Sequence, residues 1–389
     1  GAVRLAGEPL RARAAAFAVL AAAAAHAGAH GGGAGALGLD LHAQGDVVDL
    51  LVAVRAGKDT TLEHRRSRDG GRTWSAPATV PTGAAGLANP HRGADPQLAA
   101  AGDRIVVLWT APGSSPWGSG PLATALSADG GRTWTAGPNP ADDRSTGGHG
   151  YADLAADPAG AFHAVWLDGR DGGQGLRAAV SDDGGRSWRR NVTVDDRTCE
   201  CCWNRAIAPA ARSVRVIYRD KDPRDLFVAG TEDGGATWSR RGAAGDFRWQ
   251  FEGCPHVGGG LAQTGDGRLH ALSWTAADGR EGQWVLASSD GGRTWTPPAR
   301  LGGPRAHRGD LAAADRRLAA VWDEASADGS TVLGAVSADG GTGWPAPRVL
   351  SEAGASASFP VAAATARGFL ACWTQTRGEA AAEWRCAPL

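Results

Sequence analysis

Two cysteine-bearing segments carry the densest chemistry in this chain. One reads Cys199-Glu200-Cys201-Cys202-Trp203-Asn204-Arg205, the other Gly253-Cys254-Pro255-His256. Thiolate sulfur and imidazole nitrogen are soft to borderline donors, so a cluster of them suits copper or zinc. The sequence holds only six cysteines and ten histidines in 389 residues. Three further histidines stand in short polar segments: Pro90-His91-Arg92-Gly93-Ala94-Asp95, His149-Gly150-Tyr151-Ala152-Asp153 and His307-Arg308-Gly309-Asp310. The metal-ligating candidates are therefore His91, His149, Cys201, Cys202, Cys254, His256 and His307. The same cysteines support another reading, a disulfide from the Cys199–Cys202 cluster to Cys254, with the histidines bonding loop backbone. The pairing among Cys199, Cys201, Cys202 and Cys254 stays open at this point. His64, His163 and His270 fall on strand-like stretches and read as packing or surface residues.

Positioning such donors requires a scaffold, and the scaffold is repetitive. Ser67-Arg68-Asp69-Gly70-Gly71-Arg72-Thr73-Trp74 is the first of six copies of one turn motif, the others ending at Trp134, Trp188, Trp238, Trp295 and Trp344. They are spaced 60, 54, 50, 57 and 49 residues apart, which marks a repeat architecture. In each copy the Ser/Thr and Asp side chains can bond turn amides, the Gly pair supplies positive φ, and the Trp packs between units. Between motifs, an apolar strand ends in an aromatic at Trp109, Trp166, Tyr218, Trp274, Trp322 and Trp373, with Val52 at the matching place in the first unit. Each unit reads as four antiparallel strands, and no long helical period occurs. The fold predicted is all-β: a β-propeller of four-stranded blades, seven by this count with six as the alternative. The seventh unit lacks the motif and has three strands, so the segment after the N-terminal leader is expected to supply or cover its edge. Cys372 and Cys386 flank a hairpin there and are expected to form a cross-strand disulfide.

Counting back from the strand aromatics puts the donors in register. His91 lies 18 residues before Trp109, His149 17 before Trp166, Cys201 17 before Tyr218 and His256 18 before Trp274. His307 is 15 before Trp322, in a blade with a shorter lead-in.

The motif Ser/Thr-x-Asp-x-Gly-x-x-Trp resembles the Asp box of the sialidase (BNR-repeat) superfamily, and the six copies span nearly the whole chain. The resemblance implies Asp boxes between the outer two strands on one face, and ligand binding on the opposite face, where the innermost strands begin. It further implies three arginines that hold a carboxylate, an Asp acid and a Tyr–Glu nucleophile pair, an exception among glycosidases. Arg92, Arg205 and Arg308 match the arginine clamp. Asp95, Asp153 or Asp310 matches the acid, and Tyr151, with Glu200 or Glu252, the nucleophile. Two departures matter. The Phe/Tyr-Arg-Ile-Pro signature near the first blade is missing, and no Tyr follows Tyr218, whereas the family's nucleophile comes from a late blade. Sialidases are also six-bladed.

Charge is balanced, with 40 Lys+Arg against 41 Asp+Glu, and no basic run suggests a nucleic-acid surface. Arg4, Arg11 and Arg13 precede the apolar run Ala14 to Ala25, followed by small residues, which reads as a signal peptide. The alternative is a low-complexity Ala-rich tail. Residues 1–30 are expected to be signal and leader and 31–389 one propeller domain, exported to the periplasm or beyond. The run is too short for a permanent membrane span, and six cysteines fit an oxidising compartment. The leading functional expectation is an exported Asp-box propeller with a copper or zinc site of His and Cys at the channel mouth. The alternatives are an exo-sialidase-like hydrolase or anionic-glycan binder using the three arginines, and a non-catalytic interaction scaffold.

Overall fold

Seven antiparallel sheets follow one another around a central axis, each a blade whose strands run from the inside outward in chain order. The computed structural model describes residues 35–88, 93–115 and 118–389. The predicted signal segment, His91 and Arg92 lie outside the described residues. The innermost strands are Gly35–Gln44, Gln97–Ala101, His149–Ala156, Arg205–Ala210, Gly260–Gln263, Ala306–Ala314 and Ser356–Thr365. Among the described residues six sheets have four strands, and the seventh has three, Ser356–Thr365, Gly368–Thr376 and Glu383–Pro388. The only helices among the described residues are two short 3-10 turns, and none is long and apolar enough to cross a membrane.

Alternation and twist let each sheet bury both faces against its neighbours, so the core is divided among the seams between blades. At the first seam Leu51 and Leu62 of blade 1 meet Leu98, Ile105 and Trp109 of blade 2. The strand-ending aromatics mark this core: Trp166, Tyr218 and Trp322 are at most 1% exposed. Each such side chain contributes roughly 1.5–3 kcal/mol by leaving water.

The repeated motif is a hydrogen-bonded knot at the end of the third strand. In its first copy Ser67 Oγ donates to Asp69 Oδ1 (2.7 Å) and accepts from Gly71 N–H (2.9 Å). Asp69 also accepts from the amide and hydroxyl of Thr73, at 2.9 and 2.7 Å. The same bonds recur around Asp129, Asp183, Asp233 and Asp290. The third strand runs away from the face where the first begins, so the motifs and the inner-strand starts occupy opposite faces of the disc.

Ring closure joins blade 7 to blade 1. Leu39, Leu41, Leu50 and Trp74 share a cluster with Leu370, Cys372 and Trp384, and the two indoles meet edge-on at 5.9 Å. Cys372 and Cys386 sit directly opposite in register and form the expected disulfide. At the outer edge of blade 7, Gly35 makes one parallel bridge to Ala382. The residues expected to cover the rest of that edge lie outside the described ones.

Candidate metal centre and rim cleft

The loop entering blade 4 is tied down before it reaches its thiols. Thr198 N–H donates to Gln174 O (3.0 Å) and Cys199 N–H to Arg219 O (3.0 Å). Cys199, Cys201 and Cys202 are then all buried, with Cys199 Sγ 3.7 Å from Cys201 Sγ and 3.0 Å from Cys202 Sγ. The loop entering blade 5 is held by a buried arginine. Arg219 donates to Val257 O (2.9 Å), Trp274 O (3.0 Å) and Arg224 O, and its guanidinium lies over Trp249 and Trp274. Asp225 accepts the amides of Phe247, Arg248 and Trp249, and Arg224 donates to Phe251 O (3.1 Å). This platform delivers Cys254 and His256 against Cys201. The donor atoms of Cys201, Cys254 and His256 lie within 4.8 Å of one another, as do those of Cys199, Cys201 and Cys202. All four of these cysteines are free thiols, so the disulfide from the cluster to Cys254 is not what the fold builds.

The electrostatics divide the four thiols. Hydrogen bonding to Cys199 and Cys202 raises Cys201 and burial raises Cys202, so these two hold their protons until a metal displaces them. Cys199 and Cys254 are shifted toward thiolate. A hydrogen bond from Cys201, with Arg224 and Lys221 nearby, lowers Cys254 to about 7 against the opposing effect of burial. Hydrogen bonds from Cys201 and Cys202 lower Cys199 as well. Such depressed, electropositive settings mark ligand or reactive cysteines. Tyr151 packs on the three buried thiols, and its hydroxyl is 3.3 Å from His256 Nδ1. Burial raises its phenol well above the ordinary range, which disfavours a phenolate. Glu200, its expected partner, is paired with Lys221 and with Arg224 (3.6 Å). Glu252, the other, lies exposed on the blade 5 loop.

A second feature opens beside the first. A narrow cavity of about 60 Å³ at the channel mouth is lined by Asp40, Asp95, Trp203, Arg205, Arg308 and Asp310, among others. Arg205 fills its centre, with Asp310 at 2.8 Å, Asp153 at 3.8 Å and Asp40 at 3.9 Å. Three of these carboxylates also stitch neighbouring inner strands: Asp40 accepts from Leu98 N–H (2.7 Å), Asp310 from Ala362 N–H (3.1 Å) and Asp153 from Ala206 N–H. Burial raises Asp40 to about 7 and Asp153 to about 6, although Arg205 opposes it. Arg308 lies over Phe359 and 3.5 Å from Asp323. The clamp predicted for Arg205 and Arg308 thus meets two arginines on one cavity that already face carboxylates. Asp40 escaped the sequence reading because no rim motif surrounds it.

The two features are built from the same stretches of chain. Cys201 precedes Trp203 and Arg205, Tyr151 precedes Asp153, and His256 precedes Gly259, which lines the cavity. Asn204 Nδ2 donates to Tyr151 O (2.9 Å). A methyl group at Gly258 would strike Trp203 O at 2.2 Å, so this glycine is what lets the indole seat. Tyr151, His256 and Phe359 all hold positive φ, between 50 and 54°, a left-handed conformation unusual for such side chains.

The histidines expected to join one shared ion divide instead. His149 is buried, with Nε2 3.2 Å from Asp143 and 3.5 Å from Asp168, and Nδ1 3.2 Å from Gly120 O. His307 packs edge-on against Trp274 at 4.9 Å. Neither belongs to the thiol groups among the described residues. The station count measures sequence distance alone: His149 already stands on its strand, whereas Cys201 and His256 stand on loops ahead of theirs, and the loop paths decide which side chains meet. His64, His163 and His270 are buried packing residues, as expected.

No family model matches the chain, and no curated protein matches it. Solved structures do. A polysaccharide lyase, an ulvan lyase, shares 11% identity at a TM-score of 0.62, over 90% of this chain and 93% of its own. The same lyase bound to -[GlcA(1-4)Rha3S]- gives 0.60 at 11% identity, over the same shares of each chain. The GH74 xyloglucanase of Xanthomonas campestris gives 0.51 at 16% identity, over 91% of this chain and 54% of its own. At these identities the likeness is one of fold, and this chain is a seven-bladed β-propeller.

Proposed function

We propose that this protein is an exported transition-metal-binding propeller, with copper or zinc held at the rim by Cys201, Cys254 and His256 and with Cys199 and Cys202 as neighbouring thiols. The observation that carries the reading is the convergence of those donor atoms within 4.8 Å, from loops on two different blades. A chance meeting of thiols would not need a buried arginine, two tryptophans and an aspartate to hold the loops in place. The left-handed conformation of Tyr151 and His256 supports it too, because strained backbone gathers at functional sites. Export is consistent with the Cys372–Cys386 disulfide. The test is elemental analysis of the protein purified from the periplasm. Copper or zinc near one or more equivalents, reduced in Cys254→Ser and in His256→Ala, is the expected result. Metal-free protein with free thiols removes the reading.

A second reading places a carbohydrate in the cleft, and a specific observation favours it. Asp40 and Asp153 have carboxyl groups raised toward neutrality beside the exposed mouth, which is what a general acid needs. The fold's likeness to a lyase solved with -[GlcA(1-4)Rha3S]- points the same way. Asp310 holds Arg205 at 2.8 Å and Asp323 faces Arg308 at the longer 3.5 Å, so an anionic sugar would displace the Arg308 contact more readily, and the narrow cavity would take one of its substituents rather than the ring. Incubation with a fluorogenic sialoside and with uronate-containing polysaccharides, followed by product analysis, decides it. No turnover and no binding across pH 4–8 would eliminate this reading.

A further inference from the structure

Two three-donor groups in this protein share a residue. The inner group is Cys199, Cys201 and Cys202, all buried, and the outer is Cys201, Cys254 and His256, which reaches the surface through exposed Cys254. Five donors are one more than a closed tetrahedral zinc site uses. They are also one fewer than two separate three-coordinate ions would need. A thiolate sulfur common to both groups makes up that difference.

Resting on the metal reading above, we infer that the site takes two copper(I) ions. One is bound by Cys199, Cys201 and Cys202 and the other by Cys201, Cys254 and His256, with the Cys201 sulfur bridging them. The inner sulfur spans of 3.7 and 3.0 Å exceed a disulfide bond of about 2.05 Å, and they must open toward about 4 Å for the thiolates to sit about 2.3 Å from one three-coordinate ion. Thiolate-rich sites of low coordination number select a soft monovalent ion.

Charge supports the same stoichiometry. Four thiolates against two copper(I) ions leave two negative charges in a buried place, where unpaired charge is strongly disfavoured. Beside them lie three cations, Arg219, Arg224 and Lys221, and one anion, Glu200, which pairs with the latter two. Arg219 is 1% exposed and donates only to backbone carbonyls, with no carboxylate within 4.0 Å among the described residues. Asp225, engaged by three amides, is a second anion beside Arg219, so the surroundings carry a smaller residual positive charge, which two copper(I) ions leave less unbalanced than one.

The experiment is a copper(I) titration of the full chain under anaerobic conditions, in ascorbate, with bicinchoninate as the competing chelator. Copper per chain is counted after desalting, and the thiols are mapped by alkylation and mass spectrometry. Two copper(I) ions are expected in the wild type. One should remain in Cys199→Ser, in Cys254→Ser and in His256→Ala, and none in Cys201→Ser, with tryptophan fluorescence and circular dichroism confirming that each is folded. A wild type that binds a single ion, retained in Cys199→Ser, overturns the bridged pair while leaving the single-ion reading intact. A Cys199–Cys202 disulfide found in the native protein overturns it likewise. A wild type that binds no copper(I) removes both, and the wild-type count stands even where a variant fails to fold.

Discussion

At the scale of single residues, Arg205 shows how a position read as a ligand clamp can be a structural hub. Its guanidinium faces Asp40, Asp153 and Asp310 from three other blades, so the channel mouth is acidic around one half-buried cation. Not all of those carboxyls can stay ionised in that space, and burial raises Asp40 to about 7 and Asp153 to about 6. An unfolded Asp titrates near 3.8, so between about pH 4 and 7 the folded state holds protons that the unfolded state has released, and stability falls as pH rises through that window. Asp40→Asn keeps an acceptor for Leu98 N–H and removes the titration. Its denaturation midpoint should fall less than that of the wild type between pH 4.5 and 7.5, a difference of up to about 4 kcal/mol at about 1.4 kcal/mol per unit. Parallel pH profiles for the two proteins would show that Asp40 is ionised throughout. At the proposed metal site the sign is reversed, since thiolate and neutral imidazole are the binding forms. Metal affinity should weaken as pH drops below ~6.5, read by competition with a chelator at pH 7.5 and 5.5, and a flat profile would exclude His256 as a ligand.

At the scale of elements, the turn motif was legible because every part of it is local. Ser, Asp, Gly and Thr within a few residues close their own hydrogen bonds, so the knot needs nothing distant to specify it. The site was legible only in part. Cys201 and His256 were picked out by type and station and Cys254 by type, whereas His149 shared the station but turns toward Asp143 and Asp168, and Asp40 acts through Leu98 and Arg205, neither of them near it in sequence. The knots also fasten blades together. Gly131 holds φ 81°, and a methyl there would strike the His64 ring of the preceding blade at 2.1 Å. Gly131→Ala should therefore destabilise by on the order of 2 kcal/mol, from backbone strain and overpacking together. An unchanged melting temperature would mean that His64 is not the knot's seat. Hydrogen bonds led by the hydroxyls of Thr133 and Ser187 hold Asp129 and Asp183 at about 2. Their contribution is present above about pH 4 and lost as pH falls toward 2. Asp183→Ala should lower the melting temperature at pH 7 but leave metal content unchanged, because the knots and the donors sit on opposite faces. Loss of metal in a folded Asp183→Ala protein would contradict that separation.

At the scale of the whole molecule, a ring is only as stable as its closure. Six seams join blades that follow one another in the chain, but the seventh joins Gly35–Gln44 to Ser356–Thr365 and must be made from opposite ends of the sequence. Among the described residues blade 7 has three strands. The Cys372–Cys386 bridge ties the second and third of them together across a separation of 14 residues. Closing a loop of that size in the unfolded chain is worth about 3 kcal/mol. The double replacement Cys372→Ala with Cys386→Ala should lower unfolding free energy by about that amount, measured by guanidinium denaturation followed through the 16 tryptophans. The transition should stay single, because opening the seam exposes Leu39, Leu41, Leu370 and Trp384 and leaves the neighbouring seams without support. Metal should be released in that same transition, although its ligands stand on blades 4 and 5. If copper or zinc leaves well before the fluorescence changes, the rim loops unfold on their own. If the midpoint does not move at all, the seam is closed by packing around Trp74 and Trp384, and the disulfide is incidental to it.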